Sequence, residues 1–347
     1  MSRGAYAGRL TRPSSIASST SSSSSSSSRT HSSPPDFPSI QRVIRGVFRS
    51  SRITVKQAER LQGWLQQVYL ARLADDGLLV LKCPPTCSIR LLRHEKHFLE
   101  TERTTLETLH EYTQLPVPQV IKHDAQGQAL GTPFLMMSYL PGRRLSEVAQ
   151  TLTLNDRRNI ERTLGAHVGT LTALSATQFG MTHRVFAKEG CSTWKEAFLA
   201  LLEATLRDGE DMLVTVPYDI IRYYISKNSH FLDEATSPRL VALNVCAPDN
   251  VLIDERTKTV TGLVGFSNVI WGDPLMSGGI ADGSDAFFEG LGERPAKTDG
   301  IKARLSMYTA YRATVRIVAH HYRPHQGIDE LDARRSLSYA LNDLAQM

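Results

Sequence analysis

The run from Leu240 to Leu275 constrains the fold of this chain more than any other stretch. It reads LVALNVCAPDNVLIDERTKTVTGLVGFSNVIWGDPL, with one motif at Pro248–Asn250 and a second at Trp271–Pro274. Together the two motifs fix a frame for the positions around them. Val245 lies three residues before the first motif, and Gly265 lies six residues before the second. Neither residue has an ionisable side chain, which limits the chemistry available at these two positions.

On these motifs the run resembles the catalytic segment of the aminoglycoside phosphotransferase (APH) and choline-kinase-like family. The usual form in that family is close to HGDLHPGNVLVD, followed by IDFGxxxWGDP. In such kinases one Asp takes the acceptor proton, while an Asn and a second Asp hold Mg²⁺. The resemblance implies that Asn250 is the metal-binding Asn, and that Val245 and Gly265 occupy the positions of the base Asp and the second Asp.

A slip of the frame by one residue does not restore the chemistry. Asn244 would then occupy the base position, and an amide does not accept a proton at neutral pH as a carboxylate does. Four other acids lie in or near the run and are candidates to replace the missing ones: Asp249, Asp254, Asp273 and Asp285.

All three replacements remove an ionisable side chain, since the family's His and two Asp become Leu243, Val245 and Gly265. This change predicts a cleft that accommodates uncharged organic surface. In this interpretation the lining of the pocket consists of Val245, Cys246 and Gly265. The residues that supply hydrogen bonds and stacking are Asn250, Ser267, Asn268 and Trp271.

A strand and a helix earlier in the chain match the family's nucleotide-gripping pair. Lys82 ends the strand LLVLK, and Glu102 falls where the resemblance places its partner, with Glu95 as the second choice. We expect this pair to be structural rather than catalytic. The preceding loop has one glycine, Gly63, followed by the bulky Trp64, so it is a poor phosphate cradle.

Two more segments resemble the family, and they mark a boundary between two lobes. They are Leu115–Val120 (LPVPQV) and Thr132–Gly142 (TPFLMMSYLPG), with the hinge near Ser138–Arg144. In this family the hinge backbone holds adenine, a capacity implied here only by the resemblance. The resemblance covers about residues 55 to 345.

The resemblance therefore implies an α+β, bilobal protein-kinase-like fold. We expect a disordered Ser-rich tail at 1–38, a small β-rich N-lobe at 39–140 and a larger, mostly helical C-lobe at 141–347. Within these lobes the patterns predict helices at about 89–111, at 302–323, and from a cap at Asn155 or Asp156 to Ser175. Residues 278–300 read as irregular.

The composition predicts a soluble protein in a reducing compartment. With 347 residues and 41% hydrophobic content it can bury a sizeable core, and no apolar run is long enough to cross a bilayer. The four cysteines include Cys83 and Cys87 in a CxxxC spacing, but no second pair or His cluster accompanies them. We predict reduced thiols and no metal site.

The net charge of +5 is concentrated at the N-terminus. Residues 1–35 hold four arginines and no acid, and residues 36–60 hold six bases and two acids. We therefore expect the basic charge to describe the N-terminus and not a nucleic-acid-binding face on the fold. The Arg- and Ser-rich start also fits a mitochondrial transit peptide, as an alternative to a cytoplasmic protein.

Arginines recur at helical spacing in this basic segment, at Arg42, Arg45, Arg49 and Arg52, with Val43, Ile44, Val47 and Phe48 on another face. Two interpretations stay open. The helix packs on the small lobe with a solvated basic face, or it binds an anionic partner or a membrane surface.

Three functions follow from the sequence. The first is a degenerate, pseudokinase-like member that binds or transforms an apolar small molecule, such as a terpenoid or polyketide of secondary metabolism, in a cyclase or pericyclic step that needs no cofactor. The second is a divergent ATP-dependent small-molecule phosphotransferase. The third is a non-catalytic scaffold for a protein partner.

Overall fold

The computed structural model describes residues 35–63, 65–324 and 327–347. The disorder and transit-peptide predictions fall on residues 1–34 and therefore lie outside the described residues, as does Trp64. Residues 37 and 38, which were expected to end the disordered tail, open the first helix. Among the described residues, no helix is both long and apolar enough to span a membrane.

The small lobe is built on a five-stranded antiparallel sheet in the order β1-β2-β3-β5-β4. Two helices pack against it, and a tight turn at Asp76–Gly77 joins β2 to β3. Its elements are α1 (Phe37–Val47), β1 (Val55–Leu61), β2 (Gln67–Leu73), β3 (Leu78–Cys83), α2 (Phe98–Tyr112), β4 (Val120–Asp124) and β5 (Phe134–Ser138).

Side chains alternate between the two faces of the sheet along each strand, and one helix packs on each face. Tyr69, Ala71 and Leu81 point to the face that α1 covers with its buried Ile40 and Ile44. Lys82 and its strand neighbours Leu79 and Leu81 point to opposite faces, because successive strand residues do so. Lys82 therefore faces α2 and the cleft below.

Helix α2 begins later than the predicted 89–111 helix. Residues Arg93–His97 form a 3-10 turn and the α-helix starts at Phe98. A buried ion pair explains the delay: Glu95 accepts two hydrogen bonds from Arg323 (2.6 and 2.8 Å) and one from the backbone N–H of Leu92. Glu95 is thus committed to the large lobe and is not available to Lys82.

The large lobe contains nine α-helices among the described residues and two three-stranded sheets, of order β10-β9-β6 and β7-β11-β8. Its strands are β6 (Arg143–Arg144), β7 (Gly180–Met181), β8 (Arg239–Ala242), β9 (Val251–Ile253), β10 (Val260–Leu263) and β11 (Val269–Gly272). Its helices are α3 (Leu145–Val148), α4 (Leu154–Ala173), α5 (Thr182–Phe186), α6 (Trp194–Asp211), α7 (Tyr218–Asn228), α8 (Gly278–Ala281), α9 (Asp285–Leu291), α10 (Asp299–Tyr322) and α11 (Glu330–Ala345).

Short 3-10 turns connect several of these elements, at Ala149–Thr151, Ser229–Glu234, Pro248–Asn250 and Pro274–Met276. One hydrophobic core runs from α2 and β5 of the small lobe into the helices of the large lobe. This architecture confirms the predicted α+β fold class.

Two details of the large lobe differ from the sequence prediction. Thr153 caps α4, and Asp156 returns the bond to the backbone N–H of Thr153, so neither predicted residue is the cap itself. The stretch 278–300 is not wholly irregular, because it contains α8 and α9.

Helices α4 and α9 cross at very short range, where Gly165 faces Gly290. A Cβ added at Gly165 would lie 1.9 Å from the carbonyl oxygen of Phe287, and one at Gly290 would lie 1.8 Å from that of Arg162. No side chain fits at either position unless the helices separate.

We predict that Gly165→Ala destabilises the protein by about 1–3 kcal/mol, because the added methyl overpacks this crossing. Gly169→Ala is the matched control one turn later, where the nearest atom to an added Cβ is 3.5 Å away. It should be neutral or stabilising by up to about 1 kcal/mol, since Ala favours a helix more than Gly. Denaturant unfolding checks both, and equal effects would contradict the crossing described here.

Candidate functional site

The hinge joins the two lobes between Ser138, the last residue of β5, and Arg143, the first of β6. Just after it, the guanidinium of Arg144 donates a hydrogen bond of 2.6 Å to the carbonyl oxygen of Gln62. Gln62 lies in the loop between β1 and β2. This contact ties that loop to the base of the hinge and covers one side of the cleft.

Lys82 and Glu102 lie together at the back of the cleft. The ammonium of Lys82 is 2.5 Å from one carboxylate oxygen of Glu102, with 13% of the lysine side chain and 1% of the glutamate side chain exposed. The other oxygen of Glu102 is buried and has no hydrogen-bond partner among the described residues. A pair this buried is costly to break, because the remaining charge is left without a partner.

The segment after β8 places Val245 in the protein interior. Its side chain is 2% exposed and belongs to the main hydrophobic core. The neighbouring Asn244 is exposed instead, and Leu243 is half-buried. Val245 was expected to line a pocket, but its side chain packs in the hydrophobic core.

Asn250 and Gly265 meet directly at the floor of the cleft. Asn250 donates a hydrogen bond of 2.8 Å to the carbonyl oxygen of Asn244, which fixes its amide. A Cβ added at Gly265 would lie 2.5 Å from atoms of that amide, and Gly265 itself has φ of +84°, a region that favours glycine. The amide of Asn250 therefore fills the space that a side chain at position 265 would need.

Each of the four candidate replacement acids is engaged elsewhere. Asp249 accepts a hydrogen bond from the hydroxyl of Ser146, and Asp254 accepts two backbone N–H bonds in the turn between β9 and β10. Asp273 is buried and accepts from Arg304 and Tyr308, and Asp285 pairs with Arg294. The described residues also contain no group of three His, Cys, Asp or Glu side chains arranged to hold a metal ion.

The remaining predicted residues other than Trp271 lie in the loops that follow β8 and precede β11. The carbonyl oxygen of Asn268 accepts from the backbone N–H of Leu243 (3.1 Å), and Ser267 is half-buried beside it. Burial raises the pKa of the Cys246 thiol to about 12, so it stays protonated at neutral pH. Its sulfur lies 2.8 Å from where a Cβ of Gly279 would stand, which places α8 over this segment.

Trp271 lies deeper than a stacking residue at the cleft surface. It is buried on β11, its ring centroid is 6.5 Å from that of Phe186, and its indole nitrogen has no hydrogen-bond partner among the described residues.

A large groove of about 860 Å³ lies elsewhere, between α2 and β4 of the small lobe, and includes Leu65 and Phe98.

Sequence reasoning missed the network that holds the Trp271–Pro274 motif. Arg304 and Tyr308 both donate hydrogen bonds of 2.7 Å to Asp273, and the indole N–H of Trp194 donates to the Tyr308 hydroxyl (2.6 Å). Arg304 and Tyr308 are four residues apart in a segment predicted to be helical. That i, i+4 spacing was the available signal.

Comparison with known proteins gives a family match and several similar folds. The sequence model of the phosphotransferase enzyme family (APH) matches residues 56–298. A search of curated proteins finds no match.

Among solved structures, a candidate fructosamine-3-kinase from Thermobifida fusca YX-ER1 aligns with a TM-score of 0.61 at 16% identity, covering 88% of this chain and 99% of that one. A candidate aminoglycoside phosphotransferase from Ralstonia eutropha JMP134 aligns with a TM-score of 0.60 at 11% identity, covering 90% and 98%. An aminoglycoside phosphotransferase in complex with GDP and kanamycin aligns with a TM-score of 0.56 at 17% identity, covering 87% and 97%.

We predict that Val245→Asp destabilises the protein by at least about 3 kcal/mol, because it places a carboxylate without a partner in the core. Asn244→Asp, one residue earlier and exposed, should leave the stability within about 0.5 kcal/mol. The midpoint of denaturant unfolding measures both. A Val245→Asp variant as stable as Asn244→Asp would contradict the buried position of residue 245.

Proposed function

The chain belongs to the phosphotransferase enzyme family, and from that premise we propose that it has kept the fold and lost metal-dependent phosphoryl transfer. Its cleft instead binds an organic small molecule and also transforms it. The observation that carries this proposal is Gly265 itself, which supplies no carboxylate, lies against the amide of Asn250 and has a positive φ of +84° that disfavours any side chain.

The residues present do not fit the Mg²⁺ that the family implies. Mg²⁺ takes oxygen ligands in near-octahedral geometry, usually with one or two carboxylates from the protein. Here Asn250 offers one amide oxygen, Gly265 offers no side chain, and the nearby Asp249 is bonded to Ser146. Without the metal, the charge that develops on a transferred phosphoryl group is not neutralised.

A general base is missing from the same loop. Val245 is in the core, and the exposed Asn244 beside it has an amide that does not accept protons at neutral pH. Loss of a positioned base lowers a rate by on the order of 10²–10⁴. Together with the unsuitable metal site, the missing base supports the proposal that efficient phosphoryl transfer has been lost.

What the cleft does offer suits an uncharged organic ligand. Leu243 and the neutral thiol of Cys246 are partly buried apolar groups in the loop after β8, and Ser267 and Asn268 are partly buried polar residues in the loop before β11. Val245 makes no contribution, since it is buried in the core. Such a site orients a flexible substrate and presents a few dipoles, which is what a cyclisation or pericyclic rearrangement of a secondary metabolite requires.

One observation favours a second candidate, a divergent ATP-dependent phosphotransferase. The Lys82–Glu102 ion pair is formed, and in kinases a strand lysine of this kind grips the nucleotide phosphates. Burial alone also explains why the ion pair is retained, because removing one partner would cost about 3–5 kcal/mol.

Comparison of metabolites from strains with and without the gene tests the proposal. A cyclisation or rearrangement conserves mass, so we expect the strain without the gene to accumulate an isomer of the missing product. A precursor lighter than the product by one phosphoryl group would overturn the proposal in favour of the phosphotransferase. An unchanged profile would leave only the scaffold function.

A matched variant sharpens this experiment. The double substitution Lys82→Met with Glu102→Gln removes both charges together, so neither is left buried alone. We expect it to restore the product as well as the wild-type gene does, provided that it accumulates to the same level. Failure to restore by a well-folded variant would indicate that phosphate binding is needed after all.

A further inference from the structure

The outward face of α1 and the turn after it carry an exposed cluster of arginines. Arg42 and Arg45 lie on the helix, and Arg49 and Arg52 lie in the turn, because the helix ends at Val47. All four are exposed. The sequence around them, residues 36–60, holds six basic and two acidic residues.

These four arginines have no carboxylate partner within 4.0 Å in the part of the chain that the structure describes, whereas Lys56 nearby pairs with Asp76. Arginines of the large lobe such as Arg222 and Arg304 are each paired with two carboxylates. Asp36 at the N-cap of α1 has its pKa lowered by hydrogen bonds at the cap and also by the charge of Arg42, so the cluster is partly compensated at that end and net positive overall. A net positive surface attracts a polyanion.

Two aromatic side chains flank the arginines. Phe37 at the start of α1 is 43% exposed, and Phe48 just after its end is 41% exposed. Phe48 was expected on the apolar face with Val43 and Ile44, but the residues of α1 that are buried against the sheet are Ile40, Val43 and Ile44. Phe37 begins α1 and Phe48 follows its last residue, Val47, so the two aromatic side chains lie at opposite ends of the helix that carries Arg42 and Arg45.

A hollow opens on this face with room for a small anionic group. Its volume is about 510 Å³, and it is lined by Phe37, Pro38, Gln41, Arg42 and Arg45. The side chain of Arg45 is held in place there, since it donates a hydrogen bond of 2.9 Å to the carbonyl oxygen of Ile53.

We propose that this face docks on a membrane surface rich in anionic lipid, with a lipid headgroup in the hollow and Phe37 and Phe48 at the level of the headgroups. Arginines with flanking aromatics on an exposed helical face are the composition of interfacial helices. The apolar side of α1 is already buried on the sheet, so the docking is peripheral, electrostatic and reversible. It is independent of the chemistry in the cleft.

Flotation of the full chain with lipid vesicles tests this proposal. We expect binding to vesicles of phosphatidylcholine with phosphatidylserine, little binding to phosphatidylcholine alone, and a steep loss of binding as salt rises. Arg42→Gln, Arg49→Asn and Arg52→Gln combined should weaken binding roughly 100-fold, at about fivefold per arginine. Asn is used at position 49 because its φ is +50°.

The matched control removes the same charge from the large lobe, with Lys297→Gln, Lys302→Gln and Arg335→Gln, three exposed side chains. It should bind vesicles like the wild type, and the arginines of residues 1–34 are the same in every variant. Equal loss in the two triple variants, or equal binding to both kinds of vesicle, would overturn the proposal.

A second variant separates a membrane from a nucleic acid. Phe48→Ser should weaken vesicle binding while leaving the basic cluster intact. If the chain instead binds a short duplex more tightly than the vesicles, and Phe48→Ser leaves vesicle binding unchanged, the face is a nucleic-acid surface and the membrane proposal fails.

Discussion

The buried carboxylate of Asp273 joins the sheet of the large lobe to its longest helix, and the cleft floor depends on that junction. Asp273 receives hydrogen bonds from Arg304, Tyr308 and the backbone N–H of Leu275. Burial and the charge of Asp273 raise the pKa of Tyr308 well above its usual range, so its hydroxyl stays protonated and donates. Removing Asp273 would leave the Arg304 charge buried with only the more exposed Glu234 as its partner.

This junction positions the two loops in which the candidate site lies. Asp273 fixes the end of β11, and β11 pairs with β8, so the loops that follow β8 and precede β11 are held side by side. Between those loops, Asn250 packs on Gly265. The contacts of Asp273 are made with Leu275, Arg304 and Tyr308 and involve neither Asn250 nor Gly265.

Much of the fold was predictable because its signals are local. The turn at Asp76–Gly77, the Lys82–Glu102 pair and the α+β class follow from turn chemistry, spacing and the resemblance of motifs. The Glu95–Arg323 pair was not predictable, since it joins residues 228 positions apart. Local patterns carry no information about contacts at that range.

The site was less predictable than the fold, for reasons of side-chain direction. The sequence places Val245 in a loop, but whether it faces the cleft or the core is set by tertiary packing, and it faces the core. The left-handed backbone at Gly265 and its contact with Asn250 are likewise visible only once the two loops are adjacent. Phe48 was assigned to the apolar face as if the helix continued, but the helix ends at Val47.

The most direct test of the central claim is whether Mg²⁺ strengthens nucleotide binding. Thermal unfolding of the full chain with millimolar ATP would be compared in the presence and absence of Mg²⁺. A ligand at about 100 times its Kd stabilises a protein by roughly 2.7 kcal/mol, which shifts Tm by several degrees. We predict no rise in Tm that depends on Mg²⁺. A rise that requires Mg²⁺, and that Asn250→Ala abolishes, would contradict the account by showing a working metal site.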